Sequence, residues 1–67
     1  MKYANRYEST MNEWNRILQN AEDKLILSKK CFEMFGDEDS RQWAEEDAAE
    51  VERIKKNIET VKAKFAN

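Results

Sequence analysis

The side chains with the most chemistry to offer are acidic. Glu45, Glu46, Asp47 and Glu50 crowd one short stretch, and in a chain with no histidine any acid–base role would fall to such carboxylates. A simpler purpose suits them better: acidic groups near a helix start face the positive end of its dipole, and Asp47 falls in an apolar seam. Asp37-x-Asp39-x-Arg41 has the alternating opening of a calcium loop. It lacks the central glycine, and its twelfth position is Ala48 where a bidentate glutamate is needed. Cys31 follows Lys30 and is the sole cysteine, so neither an internal disulfide nor a Cys/His zinc site can form. The ordinary role of such a residue is that of a small, buried hydrophobe. No glycine-rich phosphate loop occurs. No enzyme activity, cofactor or metal is expected.

Cations interleaved with aromatics suggest a second kind of chemistry. Lys2, Tyr3, Arg6 and Tyr7 alternate near the start, and Lys55, Lys56, Lys62 and Lys64 cluster near the end; such mixtures grip phosphates and stack bases. The net charge of −2 conceals this polarity. Residues 33–52 hold nine acidic groups against Arg41 alone, whereas 53–67 hold five basic groups and one acidic. The overall pI of about 5.1 and the lack of a groove-reading helix place nucleic acid second to a protein partner.

The elements that must position these residues are two helices. Gly36 is the only glycine and proline is absent, so the chain has one break. A glycine just past an apolar-periodic run reads as a helix C′ residue. Asp39, with Gln42 three residues on, is then expected to cap the following helix. Before the break, Ala4, Tyr7, Met11, Trp14, Leu18, Ala21, Leu25, Ser28, Phe32 and Phe35 recur at alternating spacings of three and four; after it come Ala44, Asp47, Val51, Ile54, Ile58, Val61 and Phe65. The expectation is an all-α, antiparallel two-helix hairpin forming a single domain over 1–67. Helix 1 spans about 4–35, the turn 36–39 and helix 2 about 40–66. Thr10 with Glu13 offers a second capping box, which would leave residues 1–9 frayed, and Asn20 with Asp23 offers a bend.

Folding the seams together about the turn fixes a register. Phe32 meets Ala44, Ser28 meets Asp47, Leu25 meets Val51, Ala21 meets Ile54, Leu18 meets Ile58, Trp14 meets Val61, and Met11 meets Phe65. The single polar residue of each seam lands in the same layer, where a serine hydroxyl can donate to a carboxylate costly to bury alone. Trp14, Phe32, Phe35 and Phe65 are core by spacing. Tyr3, Ala4 and Tyr7 project beyond helix 2. Ile17, Leu27, Cys31, Met34 and Trp43 find no partner in the hairpin, and an exposed apolar patch of this kind marks an interface.

A hairpin of this size seldom stands alone, so a homodimer closing into a four-helix bundle is expected. The function that follows is a small non-catalytic interaction or regulatory module of adaptor, inhibitor or chaperone type. Its interface residues are Tyr3, Tyr7, Ile17, Leu27, Cys31, Met34 and Trp43, with Glu38, Glu45 and Glu46 steering a basic partner protein. The alternative is a nucleic-acid-binding regulator using Lys2, Arg6, Lys55, Lys56, Lys62 and Lys64. No apolar run reaches the length of a membrane span, and a cytoplasmic location is expected. In outline alone, the helix–turn–helix layout resembles the plasmid RNA-binding hairpin that dimerises into a four-helix bundle. It equally resembles the hairpin co-chaperones of type III secretion needle subunits. Neither outline carries a motif, and no residue role is transferred.

Overall fold

Heptad spacing drives two helices, α1 (Lys2–Phe35) and α2 (Glu38–Ala66), to pack along one narrow seam in the computed structural model. It describes the backbone of residues 2–66 and the side chains of 6–65. α1 runs from Lys2 without a break, so no helix starts at Thr10 or at Asn20. Glu13 instead pairs with Arg16, and Asp23 accepts a hydrogen bond of 3.1 Å from Gln19. The molecule extends 51 × 15 × 11 Å, one helix thick. Its radius of gyration of 15.5 Å exceeds the roughly 11 Å of a compact chain of this length.

The break occupies only Gly36 and Asp37. Gly36 adopts φ 60°, and its N–H donates to the carbonyl of Phe32 at 2.7 Å, the left-handed stop that a side chain would disfavour. Asp37, in place of the expected Asp39, caps α2. Its Oδ1 accepts from the Ser40 backbone N–H at 3.0 Å, and its carbonyl accepts the first helical bond, from Arg41 at 3.1 Å. The helix therefore starts at Glu38, two residues before the expected position, because the aspartate directly after the glycine already reaches the orphan N–H groups. Bonds from the Ser40 hydroxyl and then its backbone N–H hold the Asp37 carboxyl below its ordinary pKa.

Met11, Ala21, Val51, Ile54 and Ile58 form the buried core, with Tyr7, Trp14, Leu18, Leu25 and Val61 packed against it. Phe32 and Phe35 do not join them: they are 38% and 69% exposed. The seam near the turn is closed by Ser40, at 2% exposure the most buried residue, opposite these rings. At the other end Tyr7 does not project free. Its ring meets Phe65 edge-on, with centroids 5.3 Å apart, so a residue assigned to an interface has an intrachain partner.

Candidate interaction surface

The register rests on one polar layer. The Ser28 hydroxyl donates to Asp47 Oδ2, while Lys24 Nζ lies 3.8 Å from Oδ1 and 3.5 Å from Glu50. Asp47 is buried, and no buried side-chain polar atom among the described residues lacks a partner. The Lys24–Glu50 pair also identifies one side of the hairpin. One heptad toward the turn the same two positions are Cys31 and Trp43; one heptad toward the open end they are Ile17 and Asn57. Leu27 and Met34 lie on the adjoining strip of α1.

The structure thus gathers Ile17, Leu27, Cys31, Met34 and Trp43 on a single face. Met34 is 76% exposed, Leu27 64%, Trp43 52% and Ile17 39%; Cys31 is half-buried. Between the helices on this side runs an open groove lined by Ile17, Asn20, Ala21, Lys24, Glu50 and Ile54. Tyr3 and Lys2 lie outside the described side chains. Ile26, half exposed on the opposite side of α1, is an addition to the expected set. It belongs to neither heptad stripe, and periodicity gives no signal for a lone apolar residue.

Of the three acidic residues expected to border the patch, Glu46 is exposed and joins no ion pair among the described residues, while Glu38 and Glu45 are engaged elsewhere. Glu38 and Glu45 project from the far edge of α2, where the Arg41 guanidinium donates to Glu38 and sits 3.9 Å from Glu45. The Glu38 bond, with both carboxylate charges, raises the pKa of Arg41 further. The carboxylates of 45–50 consequently diverge. Glu45 turns to Arg41, Asp47 to Ser28 and Lys24, Glu50 to Lys24, and Glu46 to solvent. No group of acidic or thiol side chains able to hold a metal occurs among the described residues, and Asp37 is engaged as a cap.

The basic candidates are scattered. Arg6, Lys55, Lys56, Lys62 and Lys64 are exposed, but Lys55 and Lys62 share one edge of α2, Lys64 leaves from the other, and Lys56 points outward. No helix among the described residues is long and apolar enough to cross a membrane. Comparison of the chain with protein-family models, curated proteins and solved structures gives no match.

Proposed function

We propose that this hairpin is a non-catalytic protein–protein interaction module of adaptor, inhibitor or small-chaperone type. It works through its apolar face near the acidic turn and pairs with itself into a four-helix bundle. The observation that carries this is the exposure of Leu27, Met34 and Trp43 on one side of a molecule one helix thick. Leaving large apolar side chains in water forgoes about 1.5–3 kcal/mol each, a loss explained by a surface built for docking. Trp43 is of the residue type that anchors interfaces, and Glu46 beside it favours a basic partner.

Substitution separates this proposal from the nucleic-acid alternative. Trp43→Ala should weaken association while leaving the far-ultraviolet circular dichroism unchanged, and charge reversal at Lys62 and Lys64 should have little effect. Binding of a labelled oligonucleotide that falls steeply with salt, and that is lost on reversal of Lys62 and Lys64 but not on Trp43→Ala, would support the alternative.

A further inference from the structure

The face that docks protein is self-complementary, and we propose that a second copy of this chain occupies it in one defined register. The copies lie antiparallel, α1 against α1, with the twofold axis passing beside Leu27. This rests on the interaction-module proposal above and adds the orientation and register of the pairing.

Three pairs of features, two of them sharing Ile17, place the axis at the same level, and Leu27 then falls beside it. Trp43 flanks the seam on the Cys31 side, about level with residue 32 of α1, and protrudes, half exposed. The groove of Ile17, Asn20, Ala21, Lys24, Glu50 and Ile54 is the complementary recess, centred near residue 21 of α1. At a rise of about 1.5 Å per residue they are roughly 16 Å apart, and the midpoint falls at residues 26–27. A twofold axis there seats each Trp43 in the other copy's groove, as an isologous interface requires. The same axis sets Ile17 against Met34 of the second copy and brings the two Leu27 side chains together. On α2, Glu46 and Arg53 project from the same strip, one heptad apart, and both are exposed. Their midpoint lies at that level too, so each Glu46 meets the other copy's Arg53. The apolar and charged matches therefore converge within about one helical turn.

The exposed area fits such a pairing. The chain exposes 5529 Å², whereas a folded monomer of 8.0 kDa exposes about 4,450 Å² on the general scaling with mass. The excess of roughly 1,100 Å², spread over an elongated hairpin, leaves room for the ~800 Å² per partner that a stable interface buries. The competing arrangement, full end-to-end overlap with the axis near residues 18–19, sets Leu27 against Thr10 and Met34 against the start of α1. It leaves the groove facing its own polar Asn20.

Site-directed cross-linking decides the register. In a Cys31→Ala background, Leu27→Cys should form a disulfide-linked dimer under mild oxidation, because facing positions at the axis come within the roughly 4.4–6.8 Å between α-carbons that a disulfide needs. Asn20→Cys in the same background should not. The native Cys31 residues would be about 13 Å apart along the axis, so the wild-type chain should also remain uncross-linked. Trp43→Ala should weaken the dimer at least tenfold. A dimer that cross-links through Asn20→Cys or through native Cys31, but not through Leu27→Cys, overturns this register and leaves the interaction module standing. A fully helical monomer at every concentration, in sedimentation of the unmodified chain, overturns the self-pairing altogether and, with it, the four-helix bundle, while docking of a different protein would remain to be read from Trp43→Ala.

Discussion

Removing the serine of the buried polar layer tests the hairpin's internal register. Asp47 is 8% exposed; one of its oxygens receives the Ser28 hydroxyl and the other faces Lys24 at 3.8 Å. Ser28→Ala deletes the closer donor and leaves a carboxylate oxygen facing a methyl group, which costs about 1–3 kcal/mol. Lys24 moderates that cost. Its side chain is 62% exposed, however, so its pairing with Asp47 is largely screened and contributes no more than about 1 kcal/mol. A net loss of about 1.5 kcal/mol is expected, equivalent to roughly 6–12 °C in Tm for a domain of this size. Replacing both members by apolar residues, Ser28→Ala with Asp47→Leu, should restore or exceed wild-type stability, because no buried polar group is then unpaired. Urea denaturation followed by circular dichroism, at one fixed protein concentration, measures all arms of the cycle. Strict additivity, with Asp47→Leu changing stability equally whether or not Ser28→Ala is also present, would refute the coupled layer.

Three further outcomes follow from the turn and the charged ends. Gly36→Ala should destabilise by about 1–2 kcal/mol in the same denaturation assay, purely through the positive φ, since an added methyl would only touch the Phe32 carbonyl at 3.9 Å. The folded state holds the Asp37 pKa below its unfolded value, so its contribution is complete above about pH 4 and is lost as pH falls through the lower, folded-state pKa. Asp37→Asn should therefore flatten that part of the acid-unfolding curve, which a pH series of thermal melts would reveal. Reversing Lys62 and Lys64 to glutamate should leave thermal stability within about 0.5 kcal/mol of wild type, as both are exposed and lie away from the buried layer.

Much of the fold is legible in the sequence because a heptad seam and a single glycine leave a chain few alternatives. Ser28 facing Asp47 follows from counting away from the turn. The cap falls two residues before its expected place because Asp37 and Asp39 both satisfy the type preference, and the choice is decided by which one directly follows the left-handed glycine. Ser40 at the third helical position is the signal that distinguishes them, since its N–H and hydroxyl both serve Asp37. Phe32 and Phe35 satisfy the spacing yet stay 38% and 69% exposed, because spacing alone does not say how much of a side chain the facing helix covers where the seam runs out at the turn. The patch of Ile17, Leu27, Met34 and Trp43 can be read from the sequence as unpartnered. Its separation from Glu38 and Glu45, which pair with Arg41, required the side chains to be placed on the helices.

Sedimentation equilibrium of the wild-type chain tests the central claim most directly. A docking face that pairs with itself predicts a reversible increase from the 8.0 kDa chain to twice that mass as concentration rises, lost in Trp43→Ala at unchanged helicity. A wild-type chain that stays at monomer mass across the accessible range while fully helical would contradict it.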